Sequence, residues 1–187
     1  MIHTIYLDLD DVCNTLTPNL LNYIGCPVVS NDYSLLRNQD VVAAANRFLG
    51  RGRYNQSTFW QSIPRTVWAT VPKTPELPWL LRTCQGLVGK NIYIATSPTK
   101  DPDCLAGKLE WIHDNLPRWL HREYFITPRK WRLGCPGALL IDDNKQNCHL
   151  FEKHGGRTIL FPRPWNSAAG QPVQQYLLDQ LERLCRK

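Results

Sequence analysis

The chain has 187 residues, 43% of them hydrophobic, 20% charged and 10% aromatic, with a formal net charge of +6. That length suits one domain with an insertion, and folding should bury roughly 70% of the unfolded surface, enough for a core without staples. The composition excludes intrinsic disorder, collagen-like repeats and a long coiled coil, and apolar runs of five or six residues fall short of the ~20 a membrane helix needs.

Residues 2–9 are rich in β-formers and end in carboxylates, the pattern of a buried strand. Asp8, Asp10 and Asp11 interrupt the N-terminus where a secretory signal would carry its apolar stretch, so a cytoplasmic location is expected. From residue 15 to about 87 the character changes. Helical stretches at 18–24, 41–49, 58–63 and 77–87 alternate with loops holding Pro27, Gly50, Gly52, Pro64, Pro72, Pro75 and Pro78, and no buried strand is expected there. Strand patterns return at 91–95, 123–126, 138–141 and 157–161. A helix starting after Asp101 carries Leu105, Leu109, Ile112 and Leu116 on its apolar face, a second covers 145–154 before Gly155-Gly156, and a last one covers 173–184.

Five strands separated by helices predict an α/β protein: a Rossmann-like three-layer core with a five-stranded parallel sheet, and a small helical cap inserted after strand one. The expected division is 1–14 and 88–187 for the core and 15–87 for the cap. In such a sheet, ligands bind beyond the carboxyl ends of the strands. Those ends carry Asp8-Leu9-Asp10-Asp11, Thr96-Ser97 and Asp142-Asp143, and Lys130 follows the third strand.

Each piece also has a plain structural reading: a turn cluster for the first aspartates, a helix start for Thr96-Ser97-Pro98, an N-cap for Asp142-Asp143, a solvated lysine at 130. Their combination is harder to explain that way. Two carboxylates ~4 Å apart repel by about 4 kcal/mol at an effective dielectric of ~20. Gathering Asp8, Asp10, Asp142 and Asp143 therefore calls for a divalent cation, a shared proton or a cationic partner. Hard oxygen ligands with room for water and a phosphate oxygen suit Mg²⁺. Lys130 and the Thr96 hydroxyl would then serve a phosphoryl group, and the basic net charge favours such an anion.

Asp8-Leu9-Asp10-Asp11-Val12, Thr96, Lys130 and Leu139-Leu140-Ile141-Asp142-Asp143 resemble, in order, the four motifs of the haloacid dehalogenase superfamily. Ile94-Ala95-Thr96-Ser97-Pro98, Thr127-Pro128-Arg129-Lys130 and Phe161-Pro162-Arg163-Pro164-Trp165-Asn166 resemble its 5′(3′)-deoxyribonucleotidase family. The resemblance implies a Mg²⁺-dependent phosphomonoesterase acting on nucleoside monophosphates. Asp8 would be the nucleophile that forms an aspartyl-phosphate; Asp10 would protonate the leaving alkoxide and then take a proton from water. Asp8, Asp10 through its carbonyl, and Asp143 would hold the metal, with Asp142 as a further ligand or a support. Thr96, Ser97 and Lys130 would bind phosphate. Two departures bear on the substrate: Asp11 stands where the superfamily usually has Gly, and Arg129 where related nucleotidases tend to be acidic.

The insert is rich in aromatics, and Phe59-Trp60 is the expected base contact, one ring facing the cleft while the other, about 100° away on the helix, joins the core. Arg47, Arg51 and Arg53 form a basic loop, and Arg132 could attract a second phosphate or lie as surface charge. Seven scattered cysteines without a Cys-x-x-Cys pair read as packing thiols, with Cys13 near enough to Asp10 for redox sensitivity to be an alternative. The five histidines show no ligand spacing. The expected partner is a small nucleotide, with no membrane and no obligate nucleic acid, and with a homodimer left open. Two further functions stay in view: a phosphatase of nucleic-acid 3′-phosphate ends, and a non-catalytic nucleotide-binding protein.

Overall fold

The computed structural model describes residues 1–26, 40–50 and 52–185; Pro27 and Arg51, both placed in loops by the sequence, lie outside the described residues. Five parallel strands form one sheet: β1 (Thr4–Leu7), β2 (Ile92–Thr96), β3 (Tyr124–Ile126), β4 (Ala138–Asp142) and β5 (Arg157–Leu160). Their order is β3-β2-β1-β4-β5, so the chain builds outward from β1 on one side, then crosses to the other for β4. That reversal sets the ends of β1 and β4 side by side at the point where an open α/β sheet receives its ligand. The register runs Leu7 opposite both Ile94 and Ile141.

β4 is buried along its whole length, as a strand covered on both faces must be. Ile5, Leu7, Ile92, Ile94, Leu139, Ile141 and Ile159 point to one face and share a cluster with Leu80, Cys84, Ile112, Leu177 and Leu181. These last residues come from α5 (Leu77–Val88), α6 (Pro102–Asn115) and α8 (Val173–Cys185). The opposite face packs Ala138 and Leu140 on Phe151 of α7 (Lys145–Lys153), with Tyr6 edge-on to the Phe151 ring at 6.1 Å. No described helix is long and apolar enough to cross a membrane.

Between β1 and β2 the described residues are helical, as the alternation of helical and proline-rich stretches predicts: α1 (Leu16–Tyr23), α2 (Val41–Leu49), α3 (Gln56–Gln61), α4 (Arg65–Ala69) and then α5. The short α4 is an addition to the predicted elements. Pro64 starts it, and Trp68 of that helix is buried. The buried residues of α1–α4, among them Leu20, Val42, Phe59 and Trp68, run into the same cluster as the sheet. The segment's entry and exit are tied together, with the Thr15 amide donating to the Pro72 carbonyl at 2.9 Å and the Thr74 amide to the Cys13 carbonyl at 3.0 Å.

The predicted face of α6 holds at Ile112 and Leu116, which are buried, and fails at Leu105, which is exposed; Cys104, Gly107, Lys108 and Trp111 are buried as well. Gly107 explains the difference: a Cβ there would lie 2.4 Å from Trp68 Cβ and 2.6 Å from the Arg65 carbonyl oxygen, so α4 sits directly on the α6 backbone. Alanine gains about 1 kcal/mol in helix propensity but meets an overpacking cost of about 1–3 kcal/mol, here with backbone as the obstacle. Gly107→Ala should therefore lower the urea midpoint of unfolding; an unchanged or raised midpoint would show that α4 is free to move aside.

Candidate active site

β1 delivers Asp8 to the sheet edge with its amide donating to the Ile141 carbonyl at 2.9 Å. Its carboxylate is buried and held at both oxygens, Oδ1 by the Leu9 amide at 2.7 Å and Oδ2 by Lys130 Nζ at 2.6 Å. Lys130 opens a 3-10 turn after β3, and its ammonium also donates to Asp142 Oδ2 at 2.9 Å. Burial alone would push this lysine down, but Asp142 and Asp8 carry it above its ordinary value, so it is a fixed positive charge between two carboxylates. Asp142 accepts further bonds from the Asn144 amide at 2.8 Å and from Asn147 Nδ2 at 3.0 Å. Both its oxygens are thus engaged.

Asn144, rather than either aspartate, caps α7, taking the Gln146 and Asn147 amides on its own side chain. Asp143 is free of that duty. Its Oδ2 accepts from the Trp165 indole at 2.7 Å, and Asn166 Nδ2 donates to its carbonyl at 2.9 Å. An open cleft of about 720 Å³ lined by Asn144, His149, Trp165 and Ser167 borders it. Asp8, Asp142 and Asp143 bring carboxylate oxygens within 4.8 Å of one another, all three residues buried. Burial raises the carboxyls of Asp8 and Asp143 well above the usual range, and the neighbouring carboxylates raise them further. A cluster of hard oxygen donors with more negative charge than its lysine neutralises fits a divalent cation such as Mg²⁺.

Asp10 lies at the rim, with its side chain 21% exposed. Its Oδ2 takes an ion pair from Lys108, and Thr96 Oγ1 stands 3.4 Å away. Thr96 is fully buried at the end of β2, and its hydroxyl also meets Lys108 Nζ at 2.9 Å. Ser97 follows, half-buried, and its carbonyl accepts from Lys108 at 2.6 Å. Lys108 is the group the sequence reading missed. The only signal for it was a lysine four residues after Cys104 and four before Ile112, on the side of the helix that Ile112 shares.

Asp11 adopts the left-handed conformation, φ 59°, that the superfamily's glycine would allow. Its carboxylate binds the first turn of α1, accepting the Thr17 amide at 3.0 Å and the Thr17 hydroxyl at 2.5 Å, and stays near enough to Asp143 for its charge to raise that carboxyl. Burial pushes its carboxyl up to about 6, with the Thr17 bonds pulling the other way. Cys13 is fully buried, and burial and the Asp8 charge hold its thiol well above its ordinary value. It is a packing residue, and the redox alternative falls away. Arg129 lies exposed before the Lys130 turn and Arg132 within it, and Arg47 and Arg53 are exposed in the insert.

The Phe59-Trp60 expectation is corrected at Phe59, which has no exposed surface and packs edge-on against Tyr54 and Trp60. A small helical insert needs its largest rings for its own interior. Trp60 is half-buried, stacked on Trp68 at 5.8 Å, with its indole donating to Gln56.

Raised carboxyls make stability depend on pH. A native state that holds protons the unfolded chain has lost becomes less stable as pH rises from about 4 through the raised values, Asp11 near 6 among them. Metal binding to Asp8 and Asp143 would expel such protons. Mg²⁺ at 100 times its Kd adds about 2.7 kcal/mol, or roughly 5–10 °C in Tm for a chain of this size. At one fixed Mg²⁺ concentration the thermal shift should be larger at pH 7.5 than at pH 5, because protons compete for the site; a shift independent of pH would place the ion elsewhere.

The strand order β3-β2-β1-β4-β5, with helices on both faces of the sheet, is the Rossmann-like α/β fold of haloacid dehalogenase-like proteins. Solved structures with the same fold include a HAD-superfamily hydrolase, subfamily IA, from Geobacter sulfurreducens PCA, with a TM-score of 0.51 at 16% identity, covering 96% of each chain. A hydrolase from Streptococcus pneumoniae TIGR4 gives 0.55 at 11% identity, covering 95% of this chain and 98% of that one. The chain belongs to the family described as 5′ nucleotidase, deoxy (Pyrimidine), cytosolic type C, whose model matches residues 1–173. Two curated relatives, the 5′(3′)-deoxyribonucleotidases of Bacillus subtilis (strain 168) and of Bacillus phage SPbeta, are each 29% identical over 93 residues. That match covers 50% of this chain and 51% of each relative, so the chain spans about half the length of the curated relatives it matches.

Proposed function

We propose that this protein is a Mg²⁺-dependent phosphomonoesterase that hydrolyses nucleoside monophosphates, chiefly deoxyribonucleotides, through an aspartyl-phosphate on Asp8. The observation that carries the reading is the convergence of buried Asp8, Asp142 and Asp143 around the Lys130 ammonium, in a chain of a nucleotidase family. Asp8, Asp143 and the Asp10 carbonyl would hold Mg²⁺, which when bound supplies positive charge to the phosphoryl oxygens. Asp142, whose carboxylate belongs to the same cluster and also bonds Lys130, would be a further ligand or a support.

In the first half-reaction an Asp8 oxygen bonds to phosphorus, the ester P–O bond breaks, and Asp10 gives its proton to the departing nucleoside oxygen. In the second, water attacks the same phosphorus, Asp10 takes its proton, and Asp8 leaves as a carboxylate with inorganic phosphate released. Lys130 and the Thr96 and Ser97 end of β2 would bind the phosphate. We read residues 15–87 as the cap, with α5 against the sheet and α1–α4 able to exclude water over the site. Trp60, which keeps part of its ring exposed, is the remaining candidate for base contact. A cytoplasmic setting agrees with the family's description as cytosolic.

The test is phosphate release with Mg²⁺ across 5′- and 3′-nucleoside monophosphates and a 3′-phosphorylated oligonucleotide. Turnover of mononucleotides supports the reading. Turnover of the oligonucleotide alone would replace it with an end-processing phosphatase, and binding without turnover on any substrate would overturn it.

A further inference from the structure

The buried lysine of α6 answers a question the chemistry raises: which oxygen of Asp10 handles the proton. Lys108 is 2% exposed, and its ammonium has three partners: Asp10 Oδ2, Thr96 Oγ1 at 2.9 Å and the Ser97 carbonyl at 2.6 Å. An ammonium has three hydrogens, so this one has none left for a phosphate. The Trp68 ring lies 5.5 Å from Lys108 Nζ and offers a cation–π contact. Asp10 Oδ1, by contrast, is a buried oxygen with no hydrogen-bond partner among the described residues. The two oxygens of one carboxyl group are therefore inequivalent. One is anchored; the other is desolvated and uncommitted.

We propose that Lys108 is a positioning residue that anchors Asp10 through Oδ2, so that Oδ1 is the atom that delivers the proton to the leaving nucleoside oxygen and later accepts one from water. The inference rests on the proposed function and extends it to a residue outside the strand-end motifs. Its tie to the insert is Trp68 of α4, which reaches Lys108 because Gly107 lets α4 sit on α6. Without the ammonium, Asp10 can rotate, and an acid that is present but misaimed loses most of its effect.

A leaving group that needs no proton provides the discriminating readout. The ratio kcat/KM reports steps up to the first irreversible one, here transfer of the phosphoryl group to Asp8. Lys108→Met should lower kcat/KM about 100-fold for a nucleoside monophosphate, whose alkoxide must be protonated as it leaves. It should lower kcat/KM for p-nitrophenyl phosphate by less than about 5-fold, because nitrophenolate departs as an anion. In an Asp10→Asn background Lys108→Met should add almost nothing, since the lysine acts only through that carboxyl. Lys108→Gln, which keeps a donor for Oδ2, should recover part of the loss on the nucleotide, and it gives the same comparison of esters if the methionine variant does not fold. Equal losses on both esters, additive losses with Asp10→Asn, or no loss at all would overturn the role of Lys108. A wild-type protein that hydrolyses neither ester, or an Asp8→Asn variant that hydrolyses both, overturns the proposed function and this role with it. The Asp8 variant thus separates the two failures.

Discussion

Asp8→Asn is expected to lower turnover of nucleoside monophosphates on the order of 10⁴-fold or more while leaving nucleotide binding measurable. The amide has the size and shape of the carboxylate but no nucleophilic oxygen, so the covalent step is lost outright. Both oxygens accept, from the Leu9 amide at 2.7 Å and from Lys130 at 2.6 Å, so asparagine keeps one of these bonds through its carbonyl and turns its NH2 toward the other donor. That lost bond is offset in part. Burial and the Asp142 charge oppose ionisation of Asp8, and a neutral group removes that conflict. Lys130 meanwhile keeps Asp142 at 2.9 Å. Single-turnover phosphate release and nucleotide calorimetry on the same preparation measure both halves. Retained turnover would remove Asp8 from the chemistry.

Lys130→Met should act on both stability and rate. Removing one member of a buried, paired charge cluster costs about 3–5 kcal/mol, because the remaining carboxylates stay desolvated without their counter-charge. For a chain of this length that is roughly a 10 °C fall in Tm. The pH dependence has a definite sign. Burial and the Asp142 charge raise the Asp8 carboxyl and Lys130 opposes them, so in the variant Asp8 would hold a proton in the native state that the unfolded chain has already lost, and the native state gains stability as pH falls. The deficit should be smaller at pH 5 than at pH 8, and Mg²⁺ should recover part of it by replacing the lost positive charge. Nucleotide turnover should fall by about 10²–10³-fold as charge stabilisation at the phosphoryl group is lost. An unchanged unfolding midpoint would mean that the ammonium is not what holds these carboxylates together.

Much of this arrangement is visible in the one-dimensional pattern. Continuous β-branched and leucine runs, such as Ala138–Asp142, are what a strand buried on both faces requires, and they identify β4 without reference to its neighbours. The parallel order follows from helices between the strands, and it brings the polar residues after β1, β2 and β4 to one edge. The places where that pattern misleads share a cause. Leu105 and Leu109 suggest a face for α6, but a helix turns to suit what packs on it, and α4 packs on Gly107. Phe59 and Trp60 are equally aromatic in sequence, yet one lies wholly inside and the other only half so. Asp11 looks like an acid committed only to the mouth, but a left-handed turn also ties its carboxylate to the first turn of α1.

By itself, the sequence determines the class of fold and which residues stand at the strand ends, because strand periodicity and chain connectivity are local or nearly local properties. Tertiary structure alone decides which atoms meet. Lys108 comes from a helix to Asp10, 98 positions earlier, and Trp165 reaches Asp143 across 22 positions from the loop after β5. Such contacts depend on helix rotation and loop path, set by close packing across the whole core, and no local pattern encodes them.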